Sequence, residues 1–253
     1  MLASQNIKVR LQYRFDFFMG VAGMIIVNLS QFFFIWLIFG SVPVLAGWSF
    51  YEIFFLHGFV MLAGSFEYLF FDHLWQLNED IMGGVFTRYY LRPMNMLFYY
   101  MAEVLNLKAV GYLIVSIGGL VYAGSMLRLQ WGLPEILLFL LFLTNASVVS
   151  LSIDMIIGFM GFWFRGTIFL TMAMGNISNM TRYPMTIYGR VFRFLFTFVL
   201  PYAFIGFYPV QILLRSHEIN PILYASPLVG VLLFSLAYLV WKKGVDSYSG
   251  TGT

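Results

Sequence analysis

The chain has 253 residues, of which 61% are hydrophobic, 20% are aromatic and only 10% are charged. Soluble domains carry about 25% charged residues, and several apolar runs here reach the ~20 residues that cross a hydrocarbon layer as a helix, so a soluble globular fold is excluded. The net charge of +3 indicates membrane orientation rather than nucleic-acid binding, and the absence of cysteine excludes disulfides and thiolate metal sites.

Helices are the predicted secondary structure throughout, because the apolar runs are continuous and do not alternate with polar residues as barrel strands do. Residues 1–16 carry basic residues among apolar ones, which is typical of an amphipathic helix at the membrane surface. The fold class is therefore an all-α integral membrane protein with one transmembrane domain, 1–253. Six membrane spans are predicted, at residues 17–39, 53–77, 104–123, 135–164, 165–181 and 223–241.

The region before the last span allows two arrangements, because two prolines interrupt its apolar sequence. In the first arrangement, residues 165–181 form the fifth span and residues 184–215 form a re-entrant helical hairpin on the outer side. In the second, the short piece 167–180 is re-entrant and residues 194–214 form the span. A re-entrant backbone is allowed where protein or a water-filled cavity satisfies its polar groups.

Both arrangements place both chain termini in the cytoplasm. Basic residues support this orientation, because the first two outer loops then hold only Arg128, while most of the other lysines and arginines lie inside. The same rule prefers Arg182, Arg190 and Arg193 inside, which favours the second arrangement.

The segment between spans two and three, DIMGGVFTRYYLRP, combines bulky aromatic residues with two arginines. Asp80 is predicted to begin a short helix here, and Pro93 to end it. A short helix on the inner face that carries Phe86, Tyr89 and Tyr90 is suited to binding another protein. The alternative is an ordinary loop that obeys the positive-inside rule.

Four motifs occur in order along the chain: GWSFYEI (47–53), GGVFTRYYLRPMN (83–95), FWF (162–164) and RYPMTIYGRVFRFLFTFVLPYAFIGFYP (182–209). Together they resemble the membrane subunits of ABC-2-type transporters, and in particular the subgroup with GWSxxE and LRP motifs. The resemblance implies a permease dimer, with a second permease that is identical or a different homologous chain. It also implies two copies of a cytoplasmic ATP-binding-cassette ATPase, a bacterial inner membrane, and the first arrangement of the region before the last span.

The same resemblance makes residues 80–93 the coupling helix that docks into the ATPase. Its aromatic side chains are expected to serve as interface anchors, and its arginines to pair with carboxylates of the ATPase. The residues expected to form this joint are Asp80, Gly83, Gly84, Phe86, Arg88, Tyr89, Tyr90, Arg92 and Pro93.

ATP hydrolysis is expected on a partner chain and not on this one. The sequence lacks the G-x-x-x-x-G-K-[ST] phosphate loop, and none of its four lysines follows a glycine. We therefore expect no catalytic residue, cofactor or metal on this chain, and ATP with Mg²⁺ on the partner ATPase.

A polar stripe is predicted inside the membrane. Ser147, Ser150, Asp154 and Gly158 recur at intervals of three and four, so they share one helical face, and Glu67 lies in the second span. Ionisable residues at membrane depth usually face protein or a water-filled path. The stripe is therefore either a substrate pathway or dimer interface, or a seam where small residues let two helices approach closely.

Two other functions stay open from the residues alone. Glu67 and Asp154 could carry ions in a secondary transporter that needs no ATPase. Alternatively, the cluster from Asp72 to Asp80 could serve a membrane-embedded lipid-modifying enzyme with a divalent metal. The transported substrate is also open, among drugs, peptides, lipids and polysaccharides, with an amphipathic or lipid-like molecule favoured.

Overall fold

The computed structural model describes residues 14–90, 95–215 and 226–248, without the side chain of Arg14. Within these residues the secondary structure is helical, with short 3-10 and π segments between and after the α-helices. The α-helices are α1 (Arg14–Ser41), α2 (Phe50–Phe70), α3 (Leu77–Met82), α4 (Thr87–Tyr90), α5 (Met96–Ala102), α6 (Val110–Met126), α7 (Leu133–Phe159), α8 (Ile168–Ser178), α9 (Arg190–Phe194), α10 (Phe207–Leu214) and α11 (Ser226–Ser247).

Among the described residues, five helical segments are long and apolar enough to cross a membrane: α1, α2, α6, α7 and α11, where α6 and α7 are extended by one 3-10 turn each. These segments overlap the predicted first, second, third, fourth and last spans. The all-α membrane fold is therefore confirmed. The predicted surface helix at residues 1–16 falls almost wholly outside the described residues, of which Arg14 is the first and belongs to α1.

The long helices pack in the spatial order α1, α6, α2, α7, α11. Because α2 and α7 have neighbours on both sides, their middle portions are largely buried, whereas α1 and α11 at the margins expose rows of large apolar side chains. Close approach of α6 to α1 requires a glycine, since a Cβ at Gly111 would lie 2.7 Å from the carbonyl oxygen of Val21. Exposed apolar margins of this kind are suited to contact with lipid hydrocarbon.

Capping residues mark the beginning of two of the spans. At the beginning of α2, the backbone N–H of Ser49 donates to Oε2 of Glu52 at 2.8 Å. At the beginning of α7, the N–H of Gly132 donates to Oε2 of Glu135 at 2.8 Å, and Pro134 stands in the first turn. Each glutamate satisfies a backbone donor that the helix itself leaves unpaired.

The bundle has two ends, which we name by the chain that lies there. Residues 42–49 link α1 to α2 at the hairpin end, and residues 71–109 link α2 to α6 at the connector end. α1 and α6 begin at the connector end and α2 and α7 begin at the hairpin end, because these four helices alternate in direction along the chain.

Residues 186–215 enter the bundle and leave it at the hairpin end. The hydroxyl of Thr186 donates to the carbonyl of Ala46 at 3.4 Å, and the guanidinium of Arg215 donates to the carbonyl of Gly47 at 2.7 Å. Between these contacts the chain forms two helical pieces, Arg190–Val199 and Tyr202–Leu214, with a bend of 78° between their axes. The segment is therefore a re-entrant hairpin, as in the first arrangement.

The hairpin reaches well into the bundle. A Cβ at Gly206 would collide with Val60 and touch Leu56 of α2, so glycine allows the bend to rest against that helix. Pro201 stands between the two helical pieces, where it cannot continue the first, and Pro209 lies in the first turn of α10. An ion pair between Arg215 and Glu52, at 2.9 Å, fastens the returning end to α2.

The predicted fifth span, 165–181, is not one long helix. α8 has 11 residues and at ~1.5 Å per residue covers only about half of a hydrocarbon layer. A 3-10 helix, Asn179–Arg182, continues it. Gly175 lies against Trp75 at the connector end and Thr186 reaches the hairpin end, so this broken path connects the two ends of the bundle.

Candidate functional site

The predicted coupling helix is two short helices joined by a tight turn. α3 begins at Leu77, so Asp80 lies within a helix, and the prediction that it begins one is wrong. The turn is closed by a bond of 2.9 Å from the N–H of Phe86 to the carbonyl of Asp80. Gly84 has φ +73°, a left-handed conformation that favours glycine. Arg92 and Pro93 lie outside the described residues.

Phe86 is the centre of an aromatic cluster and is fully buried. Its ring centroid lies 5.3 to 6.1 Å from the rings of Tyr89, Tyr90, Tyr100, Phe162, Trp241 and Tyr248. Tyr89 is 1% exposed. The expectation that Phe86 and Tyr89 are presented to a partner protein is therefore contradicted: both side chains hold the segment against the rest of this chain.

Polar contacts surround the aromatic cluster. The guanidinium of Arg88 donates to Oε2 of Glu103 at 2.9 Å and to the hydroxyl of Tyr89 at 2.6 Å, and the Tyr89 hydroxyl donates to Glu103. The bond to Tyr89 raises the pKa of Arg88, while burial raises the pKa of Tyr89. These charge-assisted bonds tie α4 to the chain that follows α5.

The segment is also bound to the last helix. The Tyr90 hydroxyl donates to the carbonyl of Val245, and the Tyr90 ring stacks on that of Tyr248 with 5.8 Å between centroids. Trp241 of α11 contacts Phe86 from the same side. A displacement of the segment must therefore move the end of α11 or break these contacts.

What the segment exposes is its turn. We define the connector surface as Met82, Gly83, Gly84 and Val85, all of which are exposed. Met82 and Val85 expose 53% and 43% of their surface, respectively, on a part of the chain outside the long membrane helices. Arg88 and Tyr90 stand beside it, each partly exposed. An apolar turn in this position is suited to contact with another protein.

Below the aromatic cluster lies the acidic region that could have been a metal site. His73 is buried, stacks on Tyr100 and has Nε2 3.7 Å from Asp80 and 3.8 Å from Glu103. Burial lowers the pKa of His73, an effect that the two carboxylates oppose. Asp72 accepts a bond of 3.1 Å from Asn106. In the described part of the chain, no group of three or more histidine, aspartate or glutamate side chains is arranged so that it could hold a metal ion.

The polar stripe of α7 faces α2 of the same chain. Ser150 donates to Oε2 of Glu67 at 2.8 Å, and Ser147 donates to the carbonyl of Ala63 at 2.8 Å. Asp154 interacts with the Glu67 carboxyl group, which is 9% exposed. Gly158 lies against the backbone of Leu74. The structure thus brings Ser147, Ser150, Asp154 and Glu67 together in a seam between α2 and α7, and Gly158 lies against the 3-10 helix Asp72–Gln76 that follows α2.

A small cavity of about 60 Å³ opens beside this seam. Glu67, Ser150 and Asp154 line one part of it, and Tyr112 and Arg182 also line it. Since ~10–15 Å³ of such volume is enough for one water, the space can hold a few waters. Its polar lining makes it a candidate for part of a polar path through the bundle.

Sequence reasoning missed the role of Arg182. It follows α8 in the short 3-10 helix, and its guanidinium bonds Gln31 of α1 and Tyr112 of α6. A signal for it was present, because Gln31 and Tyr112 are polar groups in apolar spans and require partners. Their pairing with a residue some 70 to 150 positions away was not predictable from local pattern.

Comparison with known proteins gives one match. The family described as ABC-2 family transporter protein matches residues 25–252, which contain the two short helices and turn of residues 77–90 (the connector segment), the seam and the hairpin. A search of curated proteins found no matching sequence.

Proposed function

The chain belongs to the ABC-2 transporter family, whose members are permease components of ATP-binding-cassette transporters, and from this premise we propose that it is the membrane subunit of an exporter. A separate subunit hydrolyses ATP with Mg²⁺, because this sequence has no phosphate loop. Two such ATPases serve a dimer made of this chain and a second permease, identical or homologous. The substrate is an amphipathic or lipid-like molecule, a drug or a peptide.

The connector end faces the cytoplasm in this proposal. α1 begins and α11 ends there, so both termini lie on that side, in a bacterial inner membrane. Arg88, Lys108, Lys242 and Lys243 belong to the same end, which agrees with the positive-inside rule. An ATPase in the cytoplasm therefore meets the connector surface first.

One observation carries the coupling role: an exposed apolar turn is mounted on a buried aromatic cluster. Met82 and Val85 offer contact area to the ATPase, while Phe86 beneath them is locked to α11 and to residues 99–103. A tightly packed cluster moves as a unit, so displacement of the turn by the ATPase would also displace α11 and α6. The coupling role expected for residues 80–93 thus falls to the turn, with Met82 and Val85 rather than Phe86 and Tyr89 as the contact residues.

The substrate path is proposed to use the polar seam. Glu67 and Asp154 are buried or half-buried between α2 and α7, and the cavity beside them is lined by polar groups from several helices. Separation of these two helices would join the cavity to one side of the membrane. An ion-coupled transporter would use the same carboxyl groups, so the energy source must be tested directly.

The experiment compares Met82→Glu and Val85→Glu with Ile187→Glu. All three place a charge on an exposed apolar residue, but Ile187 lies at the hairpin end. We expect the first two variants to lose about 2 kcal/mol of ATPase binding, roughly thirtyfold in affinity, and ATP-driven export with it. Ile187→Glu should retain both. The assays are co-purification of the ATPase and ATP-driven uptake of the substrate into inverted vesicles, which corresponds to export from the cell.

Two results would contradict the proposal. If both connector variants keep normal co-purification and export, the turn is an ordinary loop. If export proceeds without ATP and stops when the proton gradient is collapsed, the chain is an ion-coupled transporter that works through Glu67 and Asp154.

A further inference from the structure

A large apolar groove lies in the connector half of the bundle, between α5 and α11. Its volume is about 830 Å³, in the range that holds a drug-sized ligand. Phe98 and Phe70 on its walls are 67% and 42% exposed, so the groove is open to the outside rather than closed inside the bundle. Its principal walls are formed by Phe70, Leu97, Phe98, Met101, Leu151 and Phe234.

The depth of the groove decides what can fill it. Phe234 lies near the middle of α11, a membrane-crossing helix, and Leu151 lies on α7 behind it. A groove open to the side at this depth meets lipid hydrocarbon and not water. Tyr238 marks the polar limit, since tyrosine concentrates where the acyl region meets the headgroups.

A basic residue, Lys242, lies beyond Tyr238 at the polar end of the groove. Phe234, Tyr238 and Lys242 are spaced by four residues, so they lie on one face of α11, with exposed Lys242 beyond the groove. Asn95 lines the same rim, where its Oδ1 accepts from the N–H of Phe98 at 3.1 Å and its amide NH₂ can donate to an anion. The nearby carboxylate of Glu103 is neutralised by Arg88 at 2.9 Å.

We propose that this groove binds an anionic phospholipid of the leaflet on the connector side. One acyl chain lies between α5 and α11, and the phosphate is held by Lys242, the amide of Asn95 and the hydroxyl of Tyr238. Basic residues beside a groove between membrane helices favour anionic headgroups over zwitterionic ones. Because the lipid touches both α5 and α11, it joins the two elements on which the connector segment rests.

The test uses the full-length protein purified in detergent, with any partner chains that accompany it, and native mass spectrometry with added phosphatidylglycerol or phosphatidylcholine. We expect tighter retention of phosphatidylglycerol. Lys242→Gln should weaken that retention about fivefold, which corresponds to ~1 kcal/mol. Lys243→Gln is the matched control, because its side chain points about 100° away around α11 and should change little. Asp246→Asn, which removes a negative charge one turn beyond Lys242, should strengthen retention.

A second variant tests the groove itself. Ala102→Phe places a ring among the groove-lining residues and should release phosphatidylglycerol and phosphatidylcholine alike, while circular dichroism and gel filtration stay normal. Equal retention of the two lipids by the unaltered protein would overturn the proposal, as would equal effects of the two lysine variants. Loss of a dimer in Ala102→Phe, with lipid retention unchanged, would assign the groove to a second copy of the chain.

Discussion

Replacement of Phe86 by alanine distinguishes an internal anchor from a docking residue. The side chain is 0% exposed and contacts six aromatic rings. Loss of ~150 Å² of buried surface at ~25 cal/mol per Å² removes about 4 kcal/mol, within the 3 to 5 kcal/mol typical of a buried phenylalanine truncated to alanine. The loss falls mainly on the local stability of residues 77–90, because Phe86 itself lies outside the long membrane helices.

A local loss of about 4 kcal/mol raises the equilibrium constant for opening about a thousandfold. Hydrogen exchange followed by mass spectrometry should therefore show faster exchange in the peptides that cover α3, α4 and the end of α11, with little change in α2. Phe86→Leu keeps most of the volume and should lose about 1 kcal/mol, while Val85→Ala, at an exposed position, should exchange like the unaltered protein.

If Phe86→Ala and Val85→Ala show the same rates of hydrogen exchange, Phe86 is not an internal anchor of the connector segment. A different failure is also informative: if Phe86→Ala abolishes ATPase co-purification while exchange stays normal, Phe86 contacts the partner directly. The interpretation made from the sequence would then be right, and the buried position would not describe the complex.

Two further expectations concern pH and the hairpin. Burial lowers the pKa of the His73 imidazole below its ordinary value of 6.5. As the pH falls below 6.5, the unfolded state therefore binds a proton at His73 before the folded state does, so the stability of the connector segment should fall. Above pH 6.5 this stability should stay level. His73→Phe, which keeps an aromatic ring, should lose much of that pH dependence in a hydrogen-exchange series from pH 8 to 5, and an unchanged slope would assign it to other groups. Arg215→Gln removes charged bonds to Glu52 and should cost about 2 kcal/mol, seen as faster exchange in residues 190–214. Arg190→Gln, at an exposed position on the same hairpin, should have a smaller effect, and equal effects would contradict a fastening role for the ion pair.

Much of the architecture follows from sequence alone, because a helix must reach a minimum length to cross the bilayer. α1, α7 and α11 are continuous apolar runs long enough to cross, and a helix is the only way for such a run to satisfy its own backbone in lipid. The sequence predicted that Glu67 contacts polar groups of the protein, since a carboxyl group at membrane depth needs protein around it, and Ser150 is such a group. Spacing along one helix placed the serines on a common face.

The connector segment shows where such reasoning stops. Phe86, Tyr89 and Tyr90 lie within five residues, and no period in so short a turn tells which of them is buried. The answer depends on Phe162, Trp241 and other residues that arrive from the ends of α7 and α11. Buried aromatic residues and docking aromatic residues have the same composition, so only their neighbours distinguish them.

The hairpin was undecided for a similar reason. Two prolines mark breaks in the helical sequence, but a break does not determine whether the chain continues across the membrane or returns. Charge counting favoured the second arrangement because it treats each arginine as exposed to a membrane surface. In the structure Arg182 bonds Gln31 inside the bundle, whereas Arg190 and Arg193 are exposed on a hairpin that the ion pair of Arg215 with Glu52 holds to α2. The path of this region is set by contacts such as those of Arg182 and Arg215, whose partners are distant in sequence and close only in the folded chain.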